Sequence, residues 1–138
     1  MVGARLKKRP RSQGAAMVEL AIVLPVLLLL LLGLMELGWA FYRMSQLTTA
    51  ARHTARVAAR PDATNEEVAA RLDQIMADLG MGEVGYTFAI TPGVDPSVGE
   101  PVHVALQVPY SEITLTGVGF IPMPEQLRGH AAMAKEGP

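Results

Sequence analysis

The sequence predicts an α+β protein. A long N-terminal membrane-spanning helix extends into a small exported head, where one further helix packs on a short, mainly antiparallel β-sheet. Three observations carry this reading. Residues 15–42 hold only two charges, Glu19 and Glu36. Residues 43–60 contain no Gly or Pro and repeat small and apolar side chains at spacings of three and four. Beyond Gly82 the apolar period changes to two.

The first element follows from charge. The chain has 138 residues and a formal net charge of −1, but the two halves differ. Residues 1–60 carry nine Lys/Arg and two acids; residues 61–138 carry three Lys/Arg and eleven acids. Such a split points to a membrane, a polyanion or an internal pairing. Five cations (Arg5, Lys7, Lys8, Arg9, Arg11) fall in a leader, residues 1–14, that also has Pro10 and no acid. It reads as an unstructured basic tail. The apolar run behind it assigns these cations to membrane orientation rather than to nucleic acid.

Residues 15–42 then form the span. A bilayer core needs about 20 apolar residues as helix. Glu19 and Glu36 are 17 residues apart, roughly 26 Å along a helix, close to the ~30 Å hydrocarbon thickness. Trp39, Phe41 and Tyr42 lie where the far interface is expected. By the positive-inside bias the N-terminus stays in the cytoplasm and the rest is exported. The run is too long for a secretory signal core, and its nearest small-x-small site, Gly38-Trp39-Ala40, follows a glutamate. Pro25 would break a helix in water but is tolerated in a membrane, usually as a kink. A carboxylate inside such a run marks a functional position. Glu36, at the outer end, is expected at the interface.

Residues 43–60 continue the same helix. Met44, Leu47, Ala51, Thr54, Ala55 and Ala58 make an amphipathic stripe, and Pro61 marks the stop. A helix from about 15 to 60 would be roughly 69 Å long. Arg52, Arg56 and Arg60 share a face at i, i+4, i+8. They form either a solvated basic face or a surface that docks on acids of this chain or of a neighbour.

In the head, residues 61–138, Thr64 stands three before Glu67 as a capping box. Val68, Leu72, Ile75 and Leu79 follow at helical spacing, and Gly80 and Gly82 end the helix over 64–79. Val84, Tyr86, Phe88 and Ile90 alternate as a strand, as do Val102, Val104, Leu106 and Val108. The Pro- and Gly-rich residues 91–101 join them as a long hairpin connection. Residues 113–120 read as a further strand or as irregular chain, and 127–135 as the last strand. A head of 78 residues (138 minus 60) without cysteine is small for independent stability. The stripe of residues 44–58 is expected to complete its core.

No catalytic constellation is visible. His53, His103 and His130 share no ligand spacing, and there is no zinc-protease, phosphate-loop or dinucleotide motif. Glu83, Asp95, Glu100 and Glu112 do not follow the calcium-loop pattern. The expectation is therefore a protein with no catalytic, cofactor-binding or metal site.

One combination of residues is more telling. Arg11-Ser-Gln-Gly14-Ala-Ala-Met-Val-Glu19 leads into a Leu-rich run through Pro25, then Met35-Glu36-Leu-Gly38, Phe41-Tyr42 and Ala50-Ala51-Arg52-His-Thr-Ala-Arg56. This resembles the TadE-like pseudopilins of the bacterial tight-adherence (Flp-type) pilus, densely over residues 11–60. Leu127 through Glu136 resembles the family's closing strand.

The resemblance implies a pilin-like fold and a prepilin-peptidase-type cut between Gly14 and Ala15, which makes Glu19 the fifth residue of a 124-residue chain (138 minus 14). Leu20 stands where pilin-like components of this system often have an aromatic residue. The new ammonium at Ala15 would lie one turn from Glu19 and could neutralise it, in its own chain or in a neighbour; otherwise Glu19 sits hydrated near the headgroups.

Glu19, Pro25, Glu36, Arg52 and Arg56 become the expected packing and assembly residues. The implied partners are the lipid bilayer, other pilin-like subunits, the pilus assembly machinery and a prepilin peptidase, with no nucleic acid. The implied place is the bacterial cytoplasmic membrane, single-pass, or a surface pilus serving cell adhesion. The rival readings are an anchored envelope-binding protein that never enters a filament and a secreted hydrolase on a retained signal anchor.

Overall fold

The computed structural model describes residues 12–117 and 122–137. The leader cations at 5–11 and residues 118–121 of the expected additional strand lie outside the described residues. The chain divides into two compact units, Met1–Met35 and Glu36–Pro138.

Helix α1 (Ser12–Ala58) runs for 47 residues and crosses that division. It begins three residues before Ala15, because extending an already nucleated helix through Ser12, Gln13 and Gly14 costs little. Pro25 sits inside it. Its missing N–H leaves the Ala21 carbonyl without the usual helical partner. In the first unit the described residues are helix only. From Gly14 to Met35 no side chain is buried, and α1 is long and apolar enough to cross a membrane.

In the second unit α1 is the centre of the fold. Its buried side is Glu36, Ala40, Leu47, Ala50, Ala51, Thr54, Ala55 and Ala58. The expected stripe is present with one change: Met44 faces outward, and the stripe instead reaches back through Ala40 to Glu36. Helix α2 (Asn65–Asp78) follows a break at Pro61. The Thr64 hydroxyl accepts from Glu67 N at 3.2 Å, the first half of the capping box. Its buried face is Val68, Leu72, Ile75 and Met76. Gly80, at φ +68°, turns the chain out of the helix.

Three strands make an antiparallel sheet in the order β1-β2-β3: β1 (Thr87–Thr91), β2 (Pro101–Pro109) and β3 (Gln126–Ala134). Phe88 pairs with Leu106, and Leu106 with Gly129. The central strand buries Val102, Val104, Leu106 and Val108 completely. The edge strand β1 is shorter than its alternating pattern, and Phe88 is exposed. A sheet edge has one neighbour fewer to cover it. Between β2 and β3 lies a 3₁₀ turn, Tyr110–Glu112. Residues 113–117 contain no strand, so the irregular alternative holds for the described part of that stretch.

The core joins all these elements. Leu47, Ala51 and Ala55 of α1 pack with Leu72 and Met76 of α2 and with Val104, Leu106 and Leu127 of the sheet. The exposed half of the helix thus completes a head that lacks disulfides.

Candidate functional site

The sheet approaches α1 closely because the facing residues are small. At Gly129 an added Cβ would stand 2.5 Å from the Leu47 carbonyl oxygen and 2.7 Å from Thr48 N. Only glycine fits there. Alanines on α1 serve the same end, since they bury area without holding the backbones apart.

The two ends of this contact are fixed by polar groups. At one end Glu36 is 1% exposed. Its Oε1 accepts from the Tyr110 hydroxyl, from Thr114 Oγ1 at 2.5 Å and from Leu115 N at 3.1 Å. Its Oε2 accepts from Thr116 N at 2.9 Å and Thr116 Oγ1 at 2.6 Å. Both oxygens serve only as acceptors, the role of an ionised carboxylate. The cradle comes from local chain geometry. The 3₁₀ turn aims Tyr110, and the Thr114 hydroxyl also accepts from Gly117 N at 3.1 Å, closing a hydroxyl-stabilised turn. Gly117 takes φ +66° to complete it. Burial, and then the adjacent Glu36 carboxylate, push the Tyr110 phenol up to about 12.

One turn further on, Trp39 Nε1 donates to the Ile113 carbonyl at 2.6 Å. Arg43 stacks 4.6 Å over the Trp39 ring and donates to the Leu79 carbonyl at 3.1 Å. The guanidinium thereby meets the carbonyl end of α2, where a cation is favoured. At the far end of α1, buried Lys135 donates to the carbonyls of Arg60 at 2.7 Å and Val94 at 2.5 Å. Glu136 N donates to the Ala59 carbonyl at 2.8 Å. These bonds tie the chain after β3 to the turn that follows α1 and to the β1–β2 connection.

The expected site residues fall into three places. Gly14, Ala15, Glu19 and Pro25 are exposed on the first unit's helix, so the Gly14–Ala15 bond lies in the first turn of α1. Glu36, expected at an interface, is buried within the second unit, where five donors replace the water it would lose. Arg52 and Arg56 are exposed, and neither forms an ion pair among the described residues. Of the three arginines, Arg60 alone docks on acids among the described residues, meeting Glu67 at 2.7 Å and Asp62 at 3.8 Å.

Tyr110, Thr114, Thr116, Gly129 and Lys135 were not visible as site residues from sequence. Glu36 had a signal: counting back 7 and 11 residues from Leu47 reaches Ala40 and Glu36, the same helix face. His53, His103 and His130 are all exposed.

A long apolar helix that runs on into a helix-and-sheet head defines an α+β protein with one candidate membrane span. Residues 14–56 match the family model described as TadE-like protein, so α1 carries the signature of a family associated with the tight-adherence pilus. The matched stretch runs from Gly14 to Arg56, takes in Glu19, Pro25, Glu36, Arg52 and Arg56, and stops before α2 and the sheet. No curated protein and no solved structure matches the chain.

Proposed function

We propose that the chain is a TadE-like minor pilin or pseudopilin, a membrane-anchored structural component for assembly of a tight-adherence pilus. The N-terminus stays in the cytoplasm, α1 crosses the bilayer, and the head is exported. The protein works by helix packing rather than by catalysis, and a separate assembly ATPase supplies the energy. The observation that carries this reading is α1 itself. Its residues 14–35 bury nothing within the chain, its residues 36–58 supply the core of the head, and the family match covers nearly all of it. An outward apolar surface of that length needs lipid or other helices to cover it.

Processing is part of the proposal. A prepilin peptidase cuts between Gly14 and Ala15, which removes five side-chain cations and no acid and takes the side-chain sum from −1 to −6. The first turn of a helix is held by few internal bonds, so the bond is reachable by local fraying. Glu19 then faces a new ammonium one turn away.

The test is the mass of the mature N-terminus in cells with and without the peptidase, together with a search for the protein in sheared surface filaments. A chain beginning at Ala15 and present in filaments is expected. An intact Met1 in both strains would sink the processed version. A cut or uncut chain that never appears in filaments would instead describe an anchored envelope-binding protein.

A further inference from the structure

Exposed apolar side chains of the head are concentrated at one end. Seven large ones are exposed among the described residues from Glu36 on, and five of these are Leu37, Phe41, Tyr42, Met44 and Leu115. Beside them lies a groove of about 150 Å³, lined by Leu37, Phe41 and Met44 of α1 and by Met123, Pro124 and Leu127. Leu115 cannot withdraw, because its own N–H and both neighbouring threonines are bonded to Glu36. The cradle therefore holds an apolar side chain outward, a position that water disfavours. The opposite end of the head differs in kind. Around Arg60, just past the end of α1 and 24 residues on from Glu36 in the sequence, stand Asp62, Glu67 and Lys135.

We infer that the face formed by Leu37, Phe41 and the Met123–Pro124 edge of the groove, together with exposed Leu115 held by Glu36 at the same end of the head, is a second lipid contact, seated in the interfacial layer of the bilayer. The inference rests on the anchoring proposed above. Three features favour lipid as the occupant. The face begins directly after the apolar run in the sequence, since Leu37 follows Met35 by two residues. From Leu37 to Met44 the helix rises roughly 10 Å, comparable with the interfacial layer of about 5–8 Å on each side of the hydrocarbon. Trp39 and Tyr42, with ring centroids 5.5 Å apart, are the amphipathic residues that such a layer attracts. The head then has a membrane attachment of its own, and the Glu36 cradle holds Leu115 within it. A head held on the surface in this way has a set orientation when it meets its neighbours.

The chain has no cysteine, so single thiols can be placed at will. Leu115→Cys, Phe41→Cys, Val98→Cys and Leu28→Cys are each reconstituted at one copy per lipid nanodisc and treated with a membrane-impermeant maleimide. Val98 is exposed in the β1–β2 connection and reports the water rate. Thiolate is the reacting form, and an apolar surrounding that raises the thiol pKa by one unit slows labelling about tenfold. Leu115→Cys and Phe41→Cys are expected to label about tenfold more slowly than Val98→Cys, with Leu28→Cys slower still. Rates at Leu115 and Phe41 equal to that at Val98, with Leu28 protected, would overturn the inference and leave the anchor standing. Fast labelling at Leu28 would remove the anchor itself. Protection at Leu115 and Phe41 that appears only with several copies per disc would assign the face to a second copy and also overturn the inference.

Discussion

Two stretches of one helix obey opposite rules. Residues 14–35 of α1 present leucine, isoleucine and valine on every side and bury none of them. Residues 36–58 bury one side, and that side is mostly alanine. The difference is one of neighbours. Bulky side chains suit a helix that must meet a medium or another helix at ordinary packing distance. Small ones suit a helix that must let a β-strand reach its backbone, as at Gly129 and Leu47. The apolar stretch is thus defined by what it leaves uncovered, and the alanine stretch by what it admits. Polar groups close the two ends of the admitted contact: Glu36 at one, Lys135 at the other.

The sharpest way to break this comparison is to open the Glu36 end. Glu36→Ala removes the shared acceptor of three hydroxyls and two backbone N–H groups. It is expected to cost the head roughly 3–5 kcal/mol while the apolar stretch remains helical. Denaturant unfolding in micelles, followed by the fluorescence of Trp39, checks this, because that single tryptophan is tied to Ile113 beside the cradle. A loss under about 1 kcal/mol would mean that the cradle is not what closes this end. Next is Gly129→Ala. The added methyl meets backbone rather than a yielding side chain, so about 2–3 kcal/mol is expected. Circular dichroism should show the residues of the apolar stretch still helical after the head has melted. Equal stability to the parent would show that β3 and α1 can part without loss.

How much of this was legible in the sequence follows from the same contrast. Local rules dominate where a segment meets a uniform surrounding. The apolar run, the capping box at Thr64 and the alternation of Val102 to Val108 were therefore readable residue by residue. The cradle was not, because Glu36 and Thr116 are 80 residues apart and nothing local to Thr114 or Thr116 marks a carboxylate receptor. Met44 reads as part of the buried stripe because it is apolar and stands at the right interval, but it lines the open groove beside Met123 and Leu127, and the stripe runs through Ala40 and Glu36. Glu36 reads as interfacial because an acid at the end of an apolar run has water nearby by default, whereas its hydrogen-bond partners come from residues 110–116.

A smaller effect separates Tyr110 from the rest of the cradle. Tyr110→Phe keeps the ring and removes one donor to a charged acceptor, an expected loss of about 1.5–3 kcal/mol near neutral pH. The folded phenol is raised from 10.0 to about 12, so its contribution is complete below pH 10 and is lost as pH rises through about 12. The stability gap between parent and Tyr110→Phe should therefore narrow across that window. Tyr86, also pushed up to about 12 by burial and by Asp73, titrates in both chains and cancels in the difference. A gap constant from pH 9 to pH 12 would show that the bond to Glu36 does not depend on the neutral phenol.

The smallest change in stability is expected from the face of α1 that the head leaves free. Arg52 and Arg56 are exposed, four residues apart, and have no acid beside them among the described residues. Replacing both by glutamate exchanges one like-charged pair for another, so folding should shift by less than about 0.5 kcal/mol. Under the proposed function the result in the cell is different. The exported part is acidic, with three Lys/Arg against eleven acids over residues 61–138, and the two exposed arginines make no ion pair among the described residues. A neighbouring head meeting this face would then find repulsion in place of attraction. Incorporation into filaments, or cross-linking to neighbouring subunits, should fall while the melting curve stays put. That pairing of an unchanged fold with lost assembly separates a docking surface from a solvated one, and full assembly of the reversed chain would return Arg52 and Arg56 to the solvent.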